Sequence, residues 1–240
     1  MKQFCLSVLL IFSLLSSSQS LYYTGVFPTI DHSGNLNKKL GYGLYYFAAF
    51  PTRNVINPDM KKDFNFLLFY SEQSLTFNAS KKLSFTGSYV YQRANAVYDN
   101  YINENRFYVQ AKYKHTLKNW NVAHRVRFDG RFIQNRVTDQ TPFTHRARYL
   151  IGLDVPLETK NRNAYFTMYQ EFFFNTVTGA MSAYEENWAY AGIGVKINEM
   201  HKIEPGILYI AWRNGNNSWF NQYYLQLTWI THLNFTKKKE

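Results

Sequence analysis

One stretch of the chain alternates between charged or polar residues and apolar ones, and this pattern limits the folds available to it. From Glu104 to Lys114 every second residue carries a polar group, and most of the residues between them are apolar or aromatic. The alternation continues through Asn121–Ile133 and Thr144–Val155. Successive residues of a β-strand point to opposite sides of a sheet. The sequence therefore predicts three neighbouring strands whose charged groups share one side.

The first twenty residues have the composition of a cleaved secretory signal peptide. Lys2 supplies a positive charge, Phe4–Leu15 is mostly apolar, and Ser18-Gln19-Ser20 fits the rule of small residues at the cleavage site. We expect residues 1–20 to be removed, so that the mature protein begins near Leu21. The only cysteine is lost with this segment, so the mature chain has neither disulfide nor thiol chemistry.

No later apolar stretch is long enough to cross a bilayer as a helix. A membrane location would therefore require a closed barrel, which is the other structure that satisfies every backbone group in lipid. Phe, Tyr and Trp make up 19% of the chain. Such an aromatic content is typical of strands and of the aromatic girdles of membrane barrels.

The spacing of the strand-like segments predicts ten spanning strands between residues 40 and 235. Short connections such as Lys118–Trp120 alternate with longer ones such as Thr52–Asp63, which is the pattern of periplasmic turns and external loops in bacterial barrels. The predicted class is an all-β, antiparallel transmembrane β-barrel. Residues 21–39 contain a proline and are expected to form an extended segment outside the barrel, and residues 236–240 a basic tail. Twelve strands are the alternative, if the N-terminal region supplies two.

The charged face of these strands is predicted to line the barrel lumen, because a charge on the lipid face costs about 2–4 kcal/mol at the bilayer midplane. Barrels of about eight to ten strands hold only side chains or one small ligand. We therefore expect a network of ion pairs that occludes the lumen, with a small anion-selective pore as the alternative. The predicted network consists of Glu104, Arg106, Arg125, Arg127, Asp129, Arg131, Arg146, Arg148, Asp154, Glu171 and Glu186.

A soluble periplasmic β-protein, such as a lipocalin-like carrier, would show the same alternation with its apolar face turned inward. The two architectures differ in which face of Glu104–Val155 points to the interior. The signal peptide, the alternating connections and the aromatic content favour the membrane barrel.

Several short motifs, in this order and spacing, resemble the outer-membrane barrel proteins grouped as domain of unknown function 2490. The motifs are Glu104-Asn105-Arg106, His124-Arg125-Val126-Arg127-Phe128, His145-Arg146-Ala147-Arg148-Tyr149, Tyr169-Gln170-Glu171-Phe172 and Glu186-Asn187-Trp188-Ala189-Tyr190-Ala191-Gly192-Ile193-Gly194. The resemblance extends from about Gly41 to Phe235. It implies a barrel in the outer membrane and no established activity.

Other chemistry finds little support in the sequence. A lipid-modifying hydrolase of the same membrane is the alternative function; it would need a histidine near a serine, and the candidates His115, His124, His145, His201 and His232 stand in no recognised motif. No metal-ligand spacing or phosphate-binding loop occurs, so no cofactor or catalytic residue is assigned. The basic residues interleave with acids inside strands, which disfavours nucleic acid as a partner. The predicted partners are outer-membrane lipid and the barrel-assembly machinery, which reads a C-terminal strand ending near an aromatic residue such as Phe235; any small ligand or ion is unknown.

Overall fold

A computed structural model describes residues 21–54, 67–94, 101–135, 138–157, 163–176, 184–214 and 218–235. The predicted signal peptide (1–20) and basic tail (236–240) lie outside the described residues. Within the described residues no helix is long and apolar enough to cross a membrane. The described strands are β1 (Leu21–Asn35), β2 (Leu40–Asn54), β3 (Leu68–Asn78), β4 (Leu83–Ala94), β5 (Ile102–Leu117), β6 (Trp120–Ile133), β7 (Phe143–Pro156), β8 (Ala164–Asn175), β9 (Tyr184–Lys196), β10 (His201–Asn214) and β11 (Ser218–Asn234).

These strands form one closed barrel in which each strand pairs with its neighbours in the chain. All neighbouring pairs are antiparallel except β1 and β11, which close the barrel side by side in the same direction, with Leu21 opposite Phe220. The prediction of an all-β, mainly antiparallel closed barrel is confirmed. The predicted count of ten strands is wrong, because the N-terminal segment lies within the barrel wall and adds an eleventh strand.

Pro28 does not exclude β1 from the wall, because the ladder is interrupted where the proline lies. Backbone pairing between β1 and β2 stops at Val26 opposite Phe50 and resumes at Thr29 opposite Phe47. Proline has no N–H to donate at the skipped position. On the other side of β1 the pairing with β11 is continuous. A proline near the middle of a segment is therefore compatible here with a strand that has neighbours on both sides.

The odd number of strands places the two ends of the described chain at opposite ends of the barrel. We call the end that carries turns 36–39, 79–82, 118–119 and 197–200 the short-turn end, and the other the long-connection end. β1 begins at the long-connection end and β11 finishes at the short-turn end. An odd count also explains the parallel closure, since the first and last of an odd series of alternating strands run in the same direction.

The short turns are built by side chains that accept backbone hydrogen bonds. Asn37 Oδ1 accepts from the amides of Lys39 and Leu40 at 2.8 and 2.9 Å. Ser80 and Asn198 make the same contacts with the residues two and three positions ahead. Such side chains favour tight turns by replacing a backbone acceptor. These turns fix the register of the strand pairs that they join.

The two faces of the barrel wall differ sharply in polarity. On the outer face, large apolar side chains are exposed, as at Val109 (65%) and Leu225 (61%). On the inner face, charged and aromatic side chains are buried, as at Asp129 (0%) and Tyr224 (2%). The residue pairs that join neighbouring strands keep these faces continuous around the barrel. The inner face therefore holds the candidate site.

Candidate functional site in the barrel lumen

The charged face predicted from the sequence points into the barrel. Arg106, Arg127 and Arg148 are buried, whereas Val109 and Val126 on the opposite face of the same wall are exposed. Of the eleven residues predicted to form the network, all except Asp154 take part in ion pairs. Asp154 lines the lumen closer to the short-turn end and makes no ion pair with another described residue.

Asp129 lies at the centre of the ion pairs. Its Oδ2 accepts hydrogen bonds from Nε and Nη2 of Arg146 at 3.3 Å each and lies 3.7 Å from Nη1 of Arg148. Arg146 also reaches Glu186 at 3.1 Å. A buried carboxylate is stable only when cations and donors compensate its lost hydration. Asp129 therefore links β6 to β7 and, through Arg146, to β9.

Two glutamates each pair with two arginines of β5, β6 and β7. Glu104 Oε1 lies 2.7 Å from Arg106 Nη2 and 2.8 Å from Arg131 Nε. Glu171 Oε1 lies 2.6 Å from Arg125 and 2.8 Å from Arg148. In each case one carboxylate serves two guanidinium groups that neighbour each other on the wall. The shared acids allow arginines to lie side by side without unbalanced repulsion.

Two acids of the network were missed by the sequence analysis. Glu72 accepts hydrogen bonds from the hydroxyls of Tyr70 (2.7 Å) and Tyr108, and it lies 3.7 Å from Arg127. Glu185 lies 3.9 Å from both Arg131 and Arg146. Glu72 stands in a strand with polar residues on both faces, so period two does not mark its side. Glu185 is the unpaired residue of β9 at a register shift between β8 and β9, where period two fails.

The charges that form ion pairs in the described part of the lumen balance in number. The arginines are Arg106, Arg125, Arg127, Arg131, Arg146 and Arg148, and the acids are Glu72, Glu104, Asp129, Glu171, Glu185 and Glu186. Leaving one buried charge without a partner would be costly. The equal numbers of arginines and acids therefore favour a structural role for this network, which fills the lumen.

Aromatic side chains occupy the other half of the lumen, and Trp188 lies between the two halves. Its ring centroid lies 6.2 Å from that of Phe27, 6.1 Å from Phe47 and 5.8 Å from Phe173. The indole nitrogen of Trp188 donates to Glu186 Oε1 at 2.7 Å. Because Phe27 and Phe47 belong to β1 and β2 and Trp188 to β9, these contacts cross the lumen.

Phe173 joins the aromatic half to the charged half. The guanidinium carbons of Arg146 and Arg148 lie 4.7 and 4.3 Å from its ring centroid. Arg127 lies over the ring of Tyr108 in the same way, at 3.7 Å. Cations over aromatic faces gain about 0.5–2 kcal/mol where water is excluded. The side chains of the two halves therefore pack as one unit.

A cavity of about 830 Å³ lies inside the barrel. At the short-turn end it is lined by Lys81, Lys82 and Thr116, and it extends past Tyr169 and Trp188 to Arg146 and Glu186. Such a volume is within the range of small-molecule sites, about 300–1,000 Å³. We call the part of this cavity near the short turns the vestibule, bounded by Asp31, Lys81, Lys82, Lys112, Lys114, Arg125, Asp154 and Glu204.

The histidines bear on the hydrolase alternative, and one arrangement resembles a catalytic triad. His232 Nδ1 lies 3.0 Å from Ser33 Oγ, and its Nε2 lies 3.1 Å from Asn35 Nδ2. The amide nitrogen of Asn35 only donates, so Nε2 must accept and Nδ1 must carry the proton. A protonated Nδ1 donates to Ser33 and is unable to take its proton. His232 therefore bridges β1 and β11 as a structural contact.

A second histidine, which the sequence analysis did not consider, bridges the same pair of strands from the outer face. His32 Nδ1 lies 2.5 Å from Thr231 Oγ1, and its Nε2 lies 3.0 Å from the hydroxyl of Tyr42. The sequence offers no signal for this contact, because β1 was expected outside the barrel. Within the described residues, no group of three or more His, Cys, Asp or Glu side chains could hold a metal ion.

The fold and its interior define a closed β-barrel with an ion-paired lumen. The chain belongs to the family described as protein of unknown function (DUF2490), whose model matches residues 23–234, and the resemblance read from the sequence is thereby confirmed. None of the curated proteins matches the chain. Among solved structures, the siderophore receptor PirA from Pseudomonas aeruginosa is similar over 76% of this chain, with 11% identity and a TM-score of 0.27. The matched part spans 37% of that receptor chain.

Proposed function

We propose that this protein spans the outer membrane of a Gram-negative bacterium as a β-barrel whose lumen is occluded by side chains. The polarity of the wall supports this proposal. Exposed apolar side chains cover the outer face; they include Leu75, Phe107, Val109, Val126, Ile207 and Leu225. A barrel in water, such as a lipocalin-like carrier, would turn these groups inward and its charges outward. This arrangement is suited to a lipid environment, because the charges face the interior and the closed wall leaves no unpaired strand edge.

The contents of the lumen favour an occluded barrel over an open anion-selective pore. Trp188 contacts Phe27 and Phe47 across the lumen, and Arg127 reaches Glu72 three strands away. Every arginine of the network has an acidic partner. A selective pore would instead present a ring of charges to passing ions. The surrounding lipid and the machinery that inserts outer-membrane barrels are the proposed partners.

Replacing Val109 by arginine tests whether the outer face contacts lipid. Val109 lies near the middle of β5 and is 65% exposed. We expect Val109→Arg to destabilise the protein folded in phospholipid vesicles by about 2–4 kcal/mol, which is the cost of an arginine near the bilayer midplane. Urea titration of vesicle-inserted protein, followed by tryptophan fluorescence, measures the difference.

Leu117→Arg is the matched control for this experiment. Leu117 is exposed to a similar degree (57%) but lies at the short-turn end of β5. Near the membrane interface the cost of an arginine falls to about 0–1 kcal/mol. Equal effects of the two substitutions, or no effect of Val109→Arg, would show that the outer face is in water and would contradict the proposal.

The odd strand number gives a second test, which concerns orientation. If the long connections face outward, as in bacterial barrels, the N-terminal end of β1 lies at the cell surface and the C-terminal end of β11 lies in the periplasm. We expect an epitope inserted between Ser20 and Leu21 to bind antibody on intact cells. An epitope after Glu240 should bind only after the outer membrane is permeabilised. The reverse pattern, or two epitopes on the same side, would overturn the proposed topology.

A further inference from the structure

The vestibule carries more positive than negative side chains, and its lysines lack partners. Lys81, Lys82, Lys112 and Lys114 line the cavity, and none of them forms an ion pair with a described residue. The acids of the vestibule are Asp31, Asp154 and Glu204, and of these Glu204 accepts a hydrogen bond from Tyr165. Four unpaired lysines thus face three acids, in contrast to the matched network deeper in the lumen.

The placement of Lys112 is the strongest sign of a site. On the inner face of β5, β6 and β7, three pairs of like charges stand directly opposite each other: Arg106 with Arg131, Arg127 with Arg148, and Lys112 with Arg125. Like charges at such positions destabilise a sheet.

Acids compensate two of these three pairs. Arg106 and Arg131 share Glu104, while Arg127 and Arg148 contact Glu72 and Glu171. In the third pair, Arg125 contacts Glu171 but Lys112 has no acid within ion-pair distance among the described residues. An anion in the vestibule would supply the missing charge between Lys112 and Arg125.

Aromatic side chains line the same cavity deeper in the lumen. Tyr45, Tyr169 and Trp188 belong to its lining, and Tyr45 and Tyr169 pack against the buried aromatic cluster of the barrel. Ligand sites commonly combine apolar walls with a few charged groups that fix orientation. A ligand with an anionic group and a flat or apolar body would satisfy both parts of the cavity.

We propose that the vestibule binds a small organic anion, with its phosphate or carboxylate group between Lys112 and Arg125 and its body against Tyr45 and Tyr169. The anion would enter from the short-turn end, where Lys81, Lys82 and Lys114 raise the local concentration of negative solutes. The aromatic contacts that Trp188 makes across the lumen lie deeper in the same cavity.

Calorimetric titration of the full-length, detergent-folded protein tests the proposal with three probes. Phenyl phosphate carries both an anion and a ring, inorganic phosphate carries the anion alone, and benzylammonium carries the ring with the opposite charge. We expect phenyl phosphate to bind most tightly and benzylammonium not to bind. Equal affinities for phenyl phosphate and inorganic phosphate would overturn the role of the tyrosines. Binding of benzylammonium would overturn the role of the lysines.

Lys112→Gln should weaken phenyl phosphate binding about tenfold, because one charged contact of the anion is lost. Lys39→Gln is the control: it removes the same charge from turn 36–39, outside the cavity lining. Folding of each variant is checked by its shift on a gel before and after heating. Unchanged affinity in Lys112→Gln, or an equal loss in Lys39→Gln, would refute the site. The inference rests on the barrel interior and not on the membrane, so failure of the lipid tests would leave this result interpretable.

Discussion

Replacing Asp129 by alanine is expected to lower the free energy of unfolding by about 3 kcal/mol. The substitution removes the fully buried carboxylate that lies 3.3 Å from Arg146 and 3.7 Å from Arg148. Removing one partner of a buried ion pair typically costs about 3–5 kcal/mol, since the remaining charge stays buried without compensation. In the variant Arg146 keeps its ion pair with Glu186, and Arg148 keeps its ion pair with Glu171. The expected loss of stability therefore lies at the lower end of this range. Urea unfolding in lipid vesicles measures the loss.

Asp154→Asn provides a matched control, because Asp154 also faces the lumen but forms no ion pair with a described residue. We expect it to change stability by less than about 1 kcal/mol. The loss of stability in Asp129→Asn should lie between those of Asp129→Ala and Asp154→Asn, because the amide oxygen still accepts one hydrogen bond from an arginine. If Asp129→Ala lowers the free energy of unfolding no more than Asp154→Asn does, the ion pairs of Asp129 do not stabilise the barrel.

The sequence was sufficient to predict the inward charges of β5, β6 and β7. In these strands the polar and apolar residues separate cleanly onto two faces, so a period of two assigns each side chain to a side. The energetic argument about lipid then assigns the charged side to the interior. Glu104, Arg106 and Asp129 could be placed on the inner face in this way from the sequence alone.

Other parts of the site depend on information that a period of two does not carry. Glu72 was missed because β3 has polar residues on both faces. Glu185 was missed because it is the unpaired residue at a register shift between β8 and β9. β1 was placed outside the wall because a proline usually excludes a central strand. The structure shows that the ladder skips Pro28 and resumes at Thr29. The cross-lumen contacts of Trp188 depend on barrel closure, which no local pattern encodes.

The strand count also bears on how the barrel closes. With ten strands, both ends of the barrel domain would lie at the short-turn end and the closing pair would be antiparallel. The eleventh strand replaces that closure with the parallel pair of β1 and β11. His32 and His232 bridge this pair near the short-turn end, one on each face of the wall. These side chains add contacts to a pairing mode that is slightly weaker per residue than the antiparallel one.

The double substitution Trp188→Ala with Phe47→Ala is expected to convert an occluded barrel into a conducting one. The two rings lie 6.1 Å apart and meet across the lumen from β9 and β2. Truncating both removes the contact that links β9 to β2 across the lumen, and the passage between the vestibule and the long-connection end would widen. We expect no stable conductance from the natural protein in planar lipid bilayers and discrete channel openings from the variant.

The open variant should prefer anions to cations, because the vestibule that ions must cross holds Lys112 and Lys114 without acidic partners. Trp229→Ala is the control for loss of a tryptophan: Trp229 faces outward and is 48% exposed, so its removal should leave the lumen closed. Conductance by the natural protein equal to that of the variant would mean that the lumen is already open. If a correctly folded variant shows no channel openings, the ion pairs around Asp129 alone are sufficient to close the barrel.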